Sequence, residues 1–172
     1  MIFVTVGNGN QQFERLLQGM ERLVEQGVVT EEVVVQSGNN PNFRPVHCRA
    51  TDFVPLAEFE RLVQEARAVV SHAGAGTVIH TLRCGKTPVV MPRRRKYGEH
   101  LNDHQIEIVE AFASEGLVIP AYEPDDLAAA IASAKARGLQ APPSAPVQLI
   151  GMVSQAIEEL MTWSSAGNPP TS

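Results

Sequence analysis

The sequence predicts an α/β fold: a Rossmann-like, mostly parallel, twisted sheet with helices on both faces. Three observations carry this. Short apolar runs at Ile2–Val6, Val33–Val35, Ala68–Val70 and Pro88–Met91 are too continuous for half-exposed strands, and read as strands buried on both faces. Segments with 3.6-residue apolar spacing separate them. Glycine or proline stands at most junctions, the punctuation of strands joined by helical crossovers.

Ile2–Val6 is the first strand, and Gly7-Asn8-Gly9-Asn10 a turn of residues that tolerate positive φ. Phe13, Leu16, Leu17, Met20, Leu23 and Val24 then predict an amphipathic helix ending near Gly27. Glu32–Gln36 is the second strand, Ser37–Pro41 a loop and Val46–Ala50 a weaker strand. Pro55 opens a helix whose apolar face is Leu56, Phe59, Leu62, Val63 and Ala66. Ala68–Val70 delivers a glycine stretch and a helix to about Cys84, which Gly85 stops. Pro88–Met91 is the next strand, followed by a basic loop, Pro92–Gly98. A helix over about Leu101–Ser114, a strand at Leu117–Ile119 and a helix from Pro124 to about Arg137 complete the alternation. Gly138–Pro146 reads as a connector and Val147–Trp163 as a final helix.

At 172 residues the chain suits one domain, assigned to 1–163, with a polar tail at 164–172 that reads as disordered. A net charge of -5 argues against a general nucleic-acid binder. Two cysteines, Cys48 and Cys84, are too few for a disulfide scaffold, so a reducing cytoplasm is expected. No apolar run approaches the roughly 20 residues that span a bilayer, so any membrane contact is expected to be peripheral or through a partner.

Ligands in such sheets sit at the carboxyl ends of the strands, so the loops after Val6, Val70 and Met91 matter most. In Ser71-His72-Ala73-Gly74-Ala75-Gly76-Thr77-Val78-Ile79-His80, a buried strand turns through small residues into a helix. Free N–H groups at such a helix start face an anion, and glycines let the ligand approach. The same stretch also fits a mere packing turn. His72 stands at its mouth, where an imidazole can donate to an anion or bond the backbone within the core. Tyr97-Gly98-Glu99-His100-Leu101-Asn102-Asp103-His104-Gln105 is dense in donors and acceptors, as sugar hydroxyls require, or is a solvated helix start. His100 and His104 stand four apart, but there is no His-Glu-x-x-His and no Asp-x-Asp, so no metal is expected. Arg93-Arg94-Arg95-Lys96 either solvates a loop or draws in an anion.

Together these motifs resemble the C-terminal, donor-binding half of GT-B glycosyltransferases, in its family-28-like form. The resemblance covers roughly residues 1–137. It rests on Val4-Thr5-Val6-Gly7, Ser71–Thr77, Gly85-Lys86-Thr87-Pro88-Val89-Val90-Met91-Pro92, and Tyr97–His100 leading to Asp103-His104-Gln105. It is similar above all to stand-alone donor subunits of two-protein transferases, in dolichol-linked N-acetylglucosamine transfer or in exopolysaccharide and capsule synthesis.

The resemblance implies a UDP-sugar donor, no cofactor, a lipid-linked or polysaccharide acceptor, and a membrane-associated, acceptor-binding partner subunit. The chain is then cytoplasmic, held peripherally at the membrane's inner face. His72, the catalytic candidate, and Gly74, Ala75, Gly76 and Thr77 would contact the diphosphate, with Gly7 and Asn8 lining the same pocket. Gln105, helped by Asp103 and His104, would read the sugar. The family's ribose-binding glutamate is replaced here by His80, which implies weaker or altered nucleotide binding. The acceptor lobe usually supplies the catalytic base, so no turnover is expected from this chain alone. The competing readings are a non-catalytic nucleotide-sugar-binding or regulatory module, and a sugar-nucleotide epimerase, for which 172 residues are too few.

Overall fold

The structure is a computed structural model that describes residues 1–138. The predicted Val147–Trp163 helix, the polar tail and the connector beyond Gly138 lie outside the described residues. Six parallel strands form one sheet: β1 (Ile2–Thr5), β2 (Val33–Gln36), β3 (Arg49–Thr51), β4 (Ala68–His72), β5 (Val89–Met91) and β6 (Ile119–Pro120). Their order across the sheet is 3-2-1-4-5-6. The chain builds outward from β1 in one direction, then returns to lay β4 on its other side. The crevice above β1 and β4 is therefore the switch point where such sheets hold ligands.

Among the described residues, five α-helices cover the sheet: α1 (Glu14–Glu25), α2 (Leu56–Glu65), α3 (Ala75–Arg83), α4 (His104–Ser114) and α5 (Leu127–Arg137). Strand pleating divides the apolar residues between the two faces. Ile2, Val4, Val33, Val35, Val70, Val89 and Met91 pack with Leu16, Leu17 and Met20 of α1 and Leu127 and Ile131 of α5. Phe3, Val34 and Val69 point the other way, onto Leu62 and Val63 of α2. Val90 faces Val78 and Leu82 of α3 and Val109 and Phe112 of α4. Burial on both faces explains why the strands read as unbroken valine and isoleucine.

Several boundaries differ from expectation. The weak strand forms at Arg49–Thr51 rather than Val46–Ala50, because Glu21 of α1 claims the backbone ahead of it. Its carboxylate accepts the N–H groups of Val46 (2.6 Å), His47 (2.7 Å) and Cys48 (3.1 Å). Leu56, expected on the apolar face of α2, is 70% exposed. The helix at Leu101 starts only at His104, so His100 lies outside it, its Nδ1 3.0 Å from Asn102 Oδ1. The two histidines do not share a helix face.

Lys86 is a buried cation that sequence reasoning did not single out. Its ammonium donates to the carbonyls of Val63 (2.6 Å), Ala66 (2.7 Å) and Gln64, closing the carboxyl end of α2. Burial pushes its pKa below the ordinary lysine value. Lys86→Met keeps the stem and strands those carbonyls, so urea denaturation should show a loss of about 2–3 kcal/mol. An unchanged midpoint would rule out the cap.

Candidate functional site

A cleft of about 450 Å³ opens above the switch point. Thr5, Gly7 and Asn8 line it from β1 and its loop, and His72, Gly74, Gly76 and Thr77 from β4 and the start of α3. Gln36, Val54, Leu56, Phe59 and His80 complete it.

Its polar end is the amino terminus of α3. Gly74 is the N-cap and offers no side chain, and the first bond within the helix runs from Val78 N–H to Gly74 O at 3.1 Å. The N–H groups of Ala75, Gly76 and Thr77 precede that bond and have no partner inside the helix. Aligned peptide dipoles add about half a positive charge there, so the end is built for an anion. The two glycines differ in purpose. A methyl group on Gly74 would overlap the His72 imidazole, whereas one on Gly76 would meet nothing within 4 Å. Gly74 makes room for His72, and Gly76 leaves room for something outside the protein.

Gly7 makes the same clearance from the opposite strand: its φ of +73° needs glycine, and a side chain there would also strike the imidazole. His72 is thus gripped between two glycines. Burial pushes its pKa down to about 3, assisted by the positive charge of Arg93 and opposed by the nearby Thr5 main chain. At neutral pH it is an uncharged imidazole. It can donate one hydrogen bond to an anion, but it brings no charge. Its Nδ1, like Gln36 Oε1 and Ser71 Oγ nearby in the sheet, is buried without a partner among the described residues.

The opposite end is apolar. Leu56, Val54 and Phe59 form its wall, and the His80 ring tilts at 60° to Phe59 with centroids 5.5 Å apart. His80 Nε2 lies 3.7 Å from Cys84 Sγ. The imidazole that replaces the expected glutamate is therefore partly engaged by its own helix and by α2.

Of the eleven predicted site residues, Gly7, Asn8, His72, Gly74, Gly76, Thr77 and His80 converge on the cleft, with Ala75 between two of them. Asp103, His104 and Gln105 do not line it. Gln105 Oε1 accepts the Arg93 N–H at 2.9 Å, Asp103 Oδ1 accepts the Arg95 N–H at 2.9 Å, and His104 Nδ1 lies 3.3 Å from Glu107. The three brace the loop after β5 and the first turn of α4. The basic cluster is likewise committed: Arg93 is buried, while Arg94 (2.7 Å) and Lys96 (3.1 Å) pair with Glu123. Gln36 was missed, although a glutamine closing three valines at the ligand edge was the signal. Its Nε2 donates to Asn8 Oδ1 at 2.8 Å and steadies the first loop. Among the described residues, no three His, Cys, Asp or Glu side chains gather as a metal would need. Nor is any helix long and apolar enough to cross a membrane.

A 3-2-1-4-5-6 parallel sheet with a glycine-rich helix start at its switch point defines a Rossmann-like lobe. The chain belongs to the glycosyltransferase family 28 C-terminal domain, whose family model matches residues 1–159. The chain is 31% identical over 120 residues to the UDP-N-acetylglucosamine transferase subunit ALG13 of Yarrowia lipolytica, covering 64% of this chain and 59% of that protein. The namesake from Cryptococcus neoformans is 36% identical over 72 residues, 40% of this chain and 33% of that one. The chain thus spans well under two thirds of the length of these relatives.

Among solved structures, the kitacinnamycin glycotransferase superposes with a TM-score of 0.56 at 18% identity, over 92% of this chain and 38% of that one. MurG of Acinetobacter baumannii does so with 0.52 at 16% identity, over 88% and 49%. These likenesses establish the GT-B lobe fold.

Two measurements check this geometry. Gly74→Ala should cost about 1–3 kcal/mol through its clash with His72, whereas Gly76→Ala should be neutral or stabilising by up to about 1 kcal/mol. Equal effects would refute the separate roles. His72 also sets an acid limb. Above pH 6.5 neither state binds its proton; below it the unfolded chain does and the folded chain does not until about pH 3. Stability is therefore lost on acidification, by at most about 1.4 kcal/mol per pH unit. His72→Gln should flatten the stability profile between pH 6.5 and 5, and an unaltered slope would count against a buried neutral imidazole.

Proposed function

We propose that the chain is the donor-binding part of a UDP-sugar-dependent glycosyltransferase, transferring a hexosyl unit to a lipid-linked or polysaccharide acceptor. The observation that carries it is the uncapped, glycine-cleared start of α3 beside a neutral His72 at the sheet's switch point. Family membership and relatives named as UDP-N-acetylglucosamine transferase subunits support it. They make UDP-N-acetylglucosamine the leading donor, whereas an exopolysaccharide role draws no support from those names.

The diphosphate lies at the N–H groups of Ala75, Gly76 and Thr77, with His72 donating a further bond. The base and ribose lie toward Phe59 and His80. Transfer forms a bond between an acceptor hydroxyl and the anomeric carbon and breaks the bond to the diphosphate. The electron pair and negative charge leave with UDP, where the helix start stabilises them without a bound cofactor. The acceptor's proton goes to a base on a membrane-associated partner subunit, which also binds the acceptor. The chain then works in the cytoplasm, held at the membrane through that partner.

Calorimetry with UDP, uridine and the UDP-sugars tests this reading. UDP should bind at least about tenfold tighter than uridine, a difference of about 1.4 kcal/mol set by the diphosphate. Gly76→Val should erase most of that advantage while the chain stays folded. Equal affinities, or no binding, would overturn the proposal. His80→Glu restores a charged acceptor for ribose and should tighten UDP binding about tenfold, since such bonds are worth about 1.5–3 kcal/mol. Unchanged or weaker binding would remove His80 from the ribose position. The chain alone should transfer no sugar; saturable binding without transfer even beside its partner would favour a regulatory module.

A further inference from the structure

The loop after β1 (residues 6–13) carries Gly7 and Asn8 to the cleft but contains no helix or strand of its own. Its middle is tied at Asn8 by Gln36 and at the Asn10 carbonyl by Asn39. Both of its ends are tied by one buried cation. Arg93 is 3% exposed, and its Nη2 donates to the carbonyls of Val6 at 2.9 Å and Gln11 at 3.2 Å. Its guanidinium also lies 5.2 Å from the centre of the Phe13 ring.

Arg93 is held in turn by a second, separate device. Arg15, in the first turn of α1, donates from Nη2 to the carbonyl of Pro92 at 2.8 Å and from Nη1 to that of Tyr122 at 2.7 Å. Its Nε and Nη2 each reach the Glu99 carboxylate at 2.9 Å, a two-pronged pair. Glu99 Oε2 also accepts the Arg94 N–H at 3.0 Å, fixing the backbone on the other side of Arg93. A closed circuit results: the first loop runs into α1, α1 carries Arg15, Arg15 and Glu99 fix Pro92 and Arg94, and Arg93 between them returns to both ends of the loop.

The two side chains are 12% and 8% exposed, so water and salt weaken their pairing little. Their bonds run between the loop after β5, the start of α1, Tyr122 and Glu123, whose Oε2 lies 3.4 Å from Arg15 Nη1. Arg15 also lies over the Phe13 ring, 5.4 Å from its centre.

We propose that Arg15 and Glu99 are positioning residues of the cleft: through Pro92 and Arg93, their ion pair sets the Gly7–Gln11 loop in the shape that admits a nucleoside diphosphate. The ligand named here rests on the donor-site reading; the control of the loop does not. Breaking the pair frees the backbone around Arg93 and slackens the loop without opening the core.

The test uses the full chain with Glu99→Gln, Arg15→Met, the double variant and the charge-conserving Arg15→Lys. NMR relaxation reads backbone order at residues 7–11 and in α5 (Leu127–Arg137), and calorimetry reads UDP affinity. Order parameters at 7–11 should fall from rigid values near 0.85 to below about 0.6 in Glu99→Gln and Arg15→Met, with α5 unchanged. UDP affinity should fall about fivefold to twentyfold in each. The double variant should fall short of the sum of the two single effects, as for groups that share one interaction among several. Arg15→Lys should restore part of both readouts. Unchanged loop order in folded variants, or order lost equally in α5, would overturn the proposal. If wild-type chain binds no UDP, the donor reading fails while loop order still decides this inference. Should Arg15→Met not fold, Glu99→Gln and Arg15→Lys carry the same comparison.

Discussion

The imidazole of His72 occupies the space that side chains at both Gly7 and Gly74 would need, and the floor of the cleft follows from that exclusion. β1 and β4 are neighbours in the sheet, in register from Ile2 against Ala68 to Thr5 against Ser71, so their carboxyl ends open side by side. A ring placed between those ends forces glycine on each. Bare backbone then lies along the crevice and at the first turn of α3, where unpaired N–H groups face outward. The same enclosure buries the imidazole Nδ1 and keeps the ring neutral. One packing choice thus shapes the site and holds this ring uncharged beside the helix start.

The charges around this floor act as ties more than as a field. Arg93-Arg94-Arg95-Lys96 looks in sequence like a basic patch, yet Arg93 is buried and Glu123 gathers Arg94, Lys96 and the Tyr97 hydroxyl. A buried guanidinium is costly unless its donors find acceptors; Arg93 Nη2 finds two backbone carbonyls, while its buried Nε has no partner among the described residues. That cost is visible in its pKa, which burial pushes down to about 10 against the pull of Glu99. Lys86 follows the same logic at the other end of the sheet, where three carbonyls of α2 surround its ammonium. Cations placed against carbonyls specify how loops and helix ends meet, which apolar packing alone leaves loose.

Much of this was legible in the sequence because parallel sheets write themselves plainly. Val33-Val34-Val35 and Ala68-Val69-Val70 are apolar at successive positions, and only burial on both faces rewards that pattern. The glycine stretch was legible for a related reason: small residues between a buried strand and a helix have few other uses. What stayed hidden was pairing over long sequence separations. Nothing local ties Arg15 to Glu99, Lys86 to Val63, or Glu21 to the backbone of Val46–Cys48. Gln105 shows a further long-range tie. Its type and place suit sugar recognition, and its carbonyl oxygen also accepts the Arg93 N–H at the neighbouring strand end. Leu56 sits on the helical stripe yet is exposed on the wall of the cleft.

The geometry also separates binding from chemistry. A volume of about 450 Å³ falls in the range of small-molecule sites, with a polar helix start at one end and Val54, Leu56 and Phe59 at the other. Such a cleft suits a ligand with an anion joined to a flat or apolar group, held mainly at those two ends. Transfer asks for more: a second reactant within about 3–3.5 Å of the reacting atom, aligned for attack, and a group to take its proton. Two polar side chains of the cleft point to other work, with Gln36 on Asn8 and His72 too acidic as imidazolium to hold a proton at neutral pH. On the donor-site reading proposed above, this lobe supplies the binding ends of the cleft, and alignment and proton removal are the work proposed for the partner subunit. That division makes the shape of the Gly7–Gln11 loop matter beyond affinity, because a donor displaced by even an ångström is presented wrongly to whatever arrives from the other side.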